Sequence, residues 1–590
     1  ATLVSARLLS VTVPVLVKRS VAPAGSEAMV VFSAPAGSVS VGGFTSSAIE
    51  LWDVTDHFNP VRLTGFAQSL SGGAWSINFT ALRDGRYVAS AANRTPTSLA
   101  GWYENDLKDN THRVDYLVIH GAGLSAGADA LAADRTAKGL RAKVVDVESI
   151  YDAFNHGIRD GRVIKTFLGY SYRQWETGPR YVVLVGDSSL DYLNRTGAGD
   201  SLVPSAPDAG SHGVYASDHG IGDINNDGSL EMAVGRIPVT SAAALNRYIT
   251  KLQAFEQGGA WRDQVMVSTD NQDQGGDYLA DGNVIAGKIT GRSVARADVG
   301  VLGSVAASSA LKTGLNQGNE LTVYIGHGSL YKLAEEGILS TNDVAGLQNA
   351  NNPGVVLAMG CLMGTFGQPG LVTIGEQLVG NQSGAAAMLG SASLVNNRDG
   401  NEFGGAVIDS IYSDGTARLG DAVVDAKNGS LGTASHRGAK SYQLLGDPSL
   451  AMGDANAPRG GPDVAPSRPS YDEWISWAFP PVWIEQGLST DPSDDPDGDG
   501  LSNWEEYLAG TDPLDALSDL VVVTVSPQAG GSVVLAWPSV PGRMYRIERA
   551  TEIGGSFATL ANDIPAVAPV NIWVDEDASQ GSAFYRVYVH

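Results

Sequence analysis

A chain of 590 residues is longer than one hydrophobic core normally organises, so several domains are expected. Its 39 Lys and Arg against 64 Asp and Glu leave a net charge of −25, which argues against nucleic acid or an anionic membrane surface as the main partner. No apolar run approaches the roughly 18 residues of a membrane-spanning helix, and Cys361 is the only cysteine, so no intrachain disulfide contributes to stability.

Residues 1–112 alternate short β-rich runs (AMVVFSA, AIELWDV, WSINFTAL, RYVASAA) with Gly, Ser, Pro and Asn turns, which predicts an N-terminal β-sandwich domain. The apolar segment 8–17 is interrupted by Ser10, Thr12 and Pro14 and reads as a strand. The first residue is Ala1, which fits a processed product whose signal peptide has gone, or equally an arbitrary boundary.

From Val114 the pattern becomes strand followed by amphipathic helix. VDYLVIH, AKVVDV, YVVLVGD, QVMVSTD, LTVYIGH, GVVLAMG and AAAMLGS are the strands, with helical stretches at 126–139, 162–175, 241–256 and 276–291 between them. Alternation of this kind implies a mainly parallel, doubly wound α/β sheet across residues 113–455. A Pro- and Gly-rich linker is expected at 456–470, a Trp-rich segment with a calcium loop at 471–517, and a C-terminal β-sandwich resembling a fibronectin type III module at 518–590. Edge strands of the terminal sandwiches offer a route to self-association.

Two of the central runs end in reactive side chains. LTVYIG leads to His327 and GVVLAMG to Cys361, and open α/β sheets bind ligands at the carboxyl ends of their strands. A lone cysteine is ordinarily a small buried hydrophobe and a lone histidine a structural group. Here, however, Gly326 and Gly328 flank the histidine, leaving backbone N–H groups accessible, and Gly360 before the cysteine permits a sharp turn at the thiol. A thiolate nucleophile, an imidazole to share its proton and amides to hold an oxyanion are the parts of covalent acyl transfer.

The segments Gly326-His327-Gly328-Ser329 and Cys361, separated by 361 − 327 = 34 positions, resemble the catalytic motifs of gingipain-like cysteine peptidases, relatives of the caspases in fold. Leu184-Val185-Gly186-Asp187, Val234-Gly235-Arg236, Gly375-Glu376 and Gly446-Asp447-Pro448-Ser449-Leu450 extend the likeness in the same order. The resemblance implies a caspase-like sheet in two side-by-side subdomains and an endopeptidase acting on protein or peptide through a Cys361–His327 dyad. It further implies Gly328 and Cys361 as oxyanion donors, Asp270 at the imidazole, and Asp277 or Asp281 in a pocket for a basic residue.

Two acidic loops suit calcium. Asp223, Asn225, Asp227 and Glu231 carry oxygen ligands at close spacing around Gly228, and the resemblance adds Asp187 as a further ligand. Asp495, Asp497, Asp499, Leu501, Asn503 and Glu506 stand at positions one, three, five, seven, nine and twelve of a calcium loop, Leu501 contributing its carbonyl. That stretch resembles EF-hand-like or thrombospondin type 3 repeats. Calcium as the stabilising cofactor, with a near-absence of cysteine, fits a secreted or cell-surface bacterial protein. Two other readings are a repurposed peptidase fold serving as a surface or filament subunit, and a transpeptidase that resolves the acyl-enzyme with an amine.

Overall fold

The computed structural model describes residues 29–55, 61–91, 105–452, 470–479, 489–497, 501–514, 524–527, 532–539, 543–550, 557–566, 570–575 and 584–589, except positions 35, 83–84, 156, 200, 211–212, 226, 510 and 512. The strand reading of 8–17, the linker at 456–469 and the loop positions Asp499 and Gly500 lie outside the described residues.

Between residues 116 and 446 the chain builds a ten-stranded sheet. Its first five strands are β1 (Tyr116–His120), β2 (Ala142–Asp146), β3 (Tyr181–Val185), β4 (Ala233–Ile237) and β5 (Gln264–Thr269). The others are β6 (Ser293–Arg296), β7 (Leu321–Ile325), β8 (Gly354–Met359), β9 (Ala385–Ser391) and β10 (Tyr442–Gly446). The order across the sheet is β6-β5-β7-β8-β9-β10-β4-β3-β1-β2. Every neighbouring pair is parallel except β9 and β10, where Ala387 faces Gly446 and Ser391 faces Tyr442 in antiparallel register. The sheet is therefore two parallel halves joined head to tail, and the carboxyl ends of the two halves open on opposite edges. Chain ends after β7 and β8 thus face the other way from those after β3.

The composition of these strands explains their place. β1, β3, β7, β8, β9 and β10 are buried along their whole length, as runs of Val, Leu, Ile and Ala covered on both faces must be. Tyr116, Val118, Val183 and Val185 join one apolar cluster, while Leu117, Ile119, Val182 and Leu184 join another across the sheet. Each fully buried aliphatic side chain contributes about 1.5–3 kcal/mol. The outermost strands, β2 and β6, are only partly covered.

A buried ion network secures one half. Arg135, on the helix Ser125–Ala137, donates from Nε to Asp447 Oδ2 at 2.9 Å and from Nη1 to Glu256 Oε2 at 2.7 Å. The Tyr116 hydroxyl donates to the same Asp447 oxygen at 2.7 Å. The segment after β10 is thereby tied to β1 and to the helix Ala242–Gln257.

Outside this sheet, the described part of residues 29–91 forms a four-stranded and a three-stranded antiparallel sheet around Val30, Val41, Leu51, Ile77, Phe79 and Tyr87. Near the other end, two three-stranded sheets enclose Leu535, Trp537, Tyr545 and Ile547. Helices Tyr471–Ala478 and Asn503–Ala509 share a cluster of Trp474, Phe479, Tyr507 and Leu514, against which Tyr170 of the central region packs.

Candidate active site

β7 and β8 are adjacent and end level, with Ile325 opposite Met359, and the Gly326 N–H reaches the Met359 carbonyl at 3.3 Å. Two glycines allow the strand ends to meet so closely. A Cβ on Gly360 would lie 2.2 Å from the Gly326 oxygen, and one on Gly326, at φ 151°, would lie 2.4 Å from Asp270 Cβ. Past this junction the backbones stay together, since a Cβ on Gly328 would stand 2.7 Å from the Cys361 oxygen. His327 and Cys361 therefore emerge side by side at one sheet edge.

The thiol is half-buried, with the Val395 carbonyl 3.3 Å and the Val395 nitrogen 3.4 Å from its sulfur. Leu362, immediately after it, holds φ 63°, a left-handed conformation that costs a non-glycine residue about 1–2 kcal/mol. The Leu362 N–H is anchored on the Ser393 carbonyl at 3.2 Å, so the turn bearing Cys361 is held by the segment that follows β9.

The imidazole meets a carboxylate, but not the expected one. Asp273 Oδ2 lies 2.7 Å from His327 Nε2, and the Tyr278 hydroxyl lies 3.2 Å from the same nitrogen. Asp270 instead accepts the backbone N–H of His327 at 3.1 Å, while the Tyr324 hydroxyl, 3.4 Å from the same carboxylate, donates to the His327 carbonyl at 2.7 Å, so Asp270 positions the main chain of the turn and not the ring. The expectation that Asp270 orients the imidazole is corrected on this point. The hydrogen bond from His327 holds the Asp273 carboxyl below its ordinary range, while burial pushes Asp270 up. A carboxylate is acceptor-only, so Nε2 carries the ring proton and Nδ1 is the nitrogen free to exchange one.

The two candidates for a pocket acid part company. Asp277 is exposed and caps the helix Tyr278–Lys288, accepting the Ala280 N–H at 3.1 Å. Asp281, half-buried on the same helix, accepts from Asn397 Nδ2 at 2.6 Å, two residues beyond the Val395 that brackets the thiol. Of the pair, Asp281 is thus the one bonded to the segment that follows β9.

In the first acidic loop, Asp223 Oδ2 accepts the Gly228 N–H at 3.0 Å, Asn225 Oδ1 that of Asp227 at 3.1 Å, Asp227 Oδ1 that of Ser229 at 2.7 Å, and Glu231 Oε2 that of Ile224 at 2.9 Å. Burial, together with the charges of Asp223 and Asp227, pushes Glu231 up to about 7. Asp187 does not join this loop: it follows the carboxyl end of β3, whereas the loop precedes the amino end of β4, and the two strands pair in parallel with Tyr181 opposite Ala233 and Val185 opposite Ile237. In the second loop Glu506 and Asn503 are fully buried and Asp497 nearly so, and Asn503 Nδ2 donates to the Asp491 carbonyl at 2.8 Å. Asp495 and Leu501 stand beside them in the chain. Asp223 Oδ1 and Asn503 Oδ1 are buried oxygens without a hydrogen-bond partner, the donor type calcium takes, so the residues present suit that ion. Among the described residues no group of three or more His, Cys, Asp or Glu side chains is already drawn together around a metal position.

Asp273, Tyr278 and Val395 were not assigned from sequence. Only Asp273 had a signal there, an acid three residues beyond Asp270 and just before the Gly275-Gly276 pair.

A family model described as peptidase family C25 matches residues 109–453, and one described as a bacterial TSP3 repeat matches residues 495–516. Among solved structures, the chain is similar to the Arg-specific cysteine proteinase gingipain R, at 14% identity over 80% of this chain and 97% of that one, with a TM-score of 0.46. It is also similar to the complex of Porphyromonas gingivalis RgpB pro- and mature domains, at 14% identity over 80% of this chain and 99% of that one, TM-score 0.46. Dimeric latent PorU from Porphyromonas gingivalis matches at 14% identity over 94% of this chain and 48% of that one, TM-score 0.37. No curated protein sequence matches the chain.

Proposed function

This chain belongs to peptidase family C25 and is a cysteine endopeptidase, and from that premise we propose that Cys361 and His327 are its catalytic dyad, with Asp273 orienting the imidazole. The observation that carries the proposal is the level ending of β7 and β8, which brings Gly326-His327-Gly328 against Gly360-Cys361.

In this reading the Cys361 thiolate attacks the scissile carbonyl, and the backbone N–H groups of Gly328 and Cys361 receive the oxyanion. His327, carrying the thiol proton on Nδ1, passes it to the leaving amine as the C–N bond breaks and a thioester remains. The same nitrogen then takes a proton from water, which attacks the thioester and returns the thiol. Asp273 stabilises the imidazolium that forms in each half-reaction. Asp281 is proposed as the acid that favours a basic residue on the substrate. Calcium is proposed at Asp223, Asn225, Asp227 and Glu231, and at the Asp495–Glu506 loop, where its charge would offset repulsion between carboxylates. A secreted or cell-surface setting, where calcium is abundant, accords with both loops.

The test is Cys361→Ala. Hydrolysis of peptide substrates should be lost and a peptidyl chloromethyl ketone should no longer label the chain, while the thermal unfolding midpoint stays within a few degrees of the unaltered protein. Retained hydrolysis would refute the dyad.

A further inference from the structure

We propose that Tyr278 is a positioning residue for the peptidase reaction, its hydroxyl clamping the Asp273–His327 pair so that the imidazole keeps its proton on Nε2 and offers Nδ1 to the reacting groups. The proposal rests on His327 being the proton carrier, as assigned above. The pair itself cannot hold that geometry, because its side chains are 49% and 42% exposed and exposed ion pairs contribute only about 0–1 kcal/mol. Two surface side chains with water on several sides would exchange rotamers freely.

Tyr278 supplies what they lack. It is 3% exposed and opens the helix Tyr278–Lys288, whose start is fixed by the Asp277 cap. Its ring stands edge-on to the imidazole at 5.6 Å and 73°, closing one side of it, and its hydroxyl lies 3.2 Å from Nε2. The neighbouring loop leaves room for that hydroxyl only because residue 275 is glycine. A Cβ there would lie 2.3 Å from the Tyr278 oxygen and 3.3 Å from His327 Cε1.

Since the single Nε2–H points to the Asp273 carboxylate at 2.7 Å, the phenol oxygen at 3.2 Å takes only a bifurcated share of it, while the phenol directs its own proton to Asp273, so the three groups stand together. Burial and the nearby charge of Asp273 push the phenol up to about 12, so it keeps that proton throughout the working range.

The experiment compares Tyr278→Phe, Asp273→Asn and the double variant in the full chain, with peptide hydrolysis and the ¹⁵N shifts of the His327 ring as readouts. Tyr278→Phe should lower kcat about tenfold, the loss of one hydrogen bond to a charged pair, with KM within twofold. Its ring should pass from a single Nε2–H tautomer to a mixture, and the double variant should be little slower than Asp273→Asn alone. A kcat within twofold of the unaltered protein with an unchanged tautomer, or a rise in KM alone, would overturn the proposal. His327→Ala, run alongside, separates the two levels: activity there removes the dyad and Tyr278 with it, whereas an inactive His327→Ala beside a fully active Tyr278→Phe removes Tyr278 only.

Discussion

At His327 two aspartates three residues apart divide the work between main chain and side chain. Asp270 accepts the His327 N–H, while Asp273 accepts from the ring. Substituting each by Asn should separate the roles. Asp273→Asn removes the charge facing the imidazolium and should lower kcat by about 10- to 100-fold with little effect on stability. Asp270→Asn should instead cost about 1 kcal/mol in urea unfolding, because it weakens the bonds that hold the turn. Both aspartates were visible in the stretch after QVMVSTD, yet only their direction distinguishes them, and direction depends on how the loop closes over Tyr278.

Glu231 gives a second prediction at this scale. Its folded value is raised to about 7 from an ordinary 4.5, so between those values the folded chain binds more protons than the unfolded one. Its contribution to stability is therefore present below about pH 4.5 and is lost as pH rises toward 7. Calcium, which binds the ionised carboxylate, should raise the urea midpoint more at pH 8 than at pH 5, and Glu231→Gln should flatten that difference. Equal calcium effects at both pH values would remove Glu231 from the proposed ligands.

Among the elements, the junction of β7 and β8 carries the proposed dyad, and its tolerance is set by Gly326 and Gly360. Gly360→Ala would drive a methyl to 2.2 Å from the Gly326 oxygen, backbone against backbone, where no side-chain rotation relieves the clash. It should destabilise the chain by about 1–3 kcal/mol and abolish hydrolysis, as unfolding curves and a peptide assay would show. Both strands were legible as apolar runs ending in Gly-His and Gly-Cys. β10 was not read as a strand, because its stability comes from pairing with β9 and β4, whose partner residues lie tens to hundreds of positions earlier in the chain. The β6 edge strand was missed for the opposite reason: it is half-covered and bears little apolar signal.

For the whole molecule, the antiparallel contact of β9 with β10 decides what can act together. It sends the carboxyl end of β3, and Asp187 with it, to the opposite edge from Cys361. The Arg135–Glu256–Asp447 network secures the half that begins with β1. Arg135→Met should cost about 3–5 kcal/mol in urea unfolding, since it leaves the fully buried Asp447 carboxylate without its cation, while Glu256 keeps Lys138. Farther along, Arg543 Nη2 donates to the Tyr507 carbonyl at 2.8 Å, so the helix that follows the Asp495–Glu506 loop is bonded to the start of the strand Met544–Ala550.

The sequence by itself determined the α/β alternation, the His327 and Cys361 positions and the spacing of the acidic loops, since each is written in periodicity or in a short motif and depends on residues close along the chain. Only the tertiary structure decided that Asp273 meets the imidazole, that Tyr278 stands edge-on to it, that Asp281 and not Asp277 bonds Asn397, and that Asp187 stands apart from the Asp223 loop. Those outcomes follow from strand direction, the close approach of two glycine backbones and the path of one loop, which bring together groups up to more than a hundred residues apart and leave no local mark on the amino acids involved.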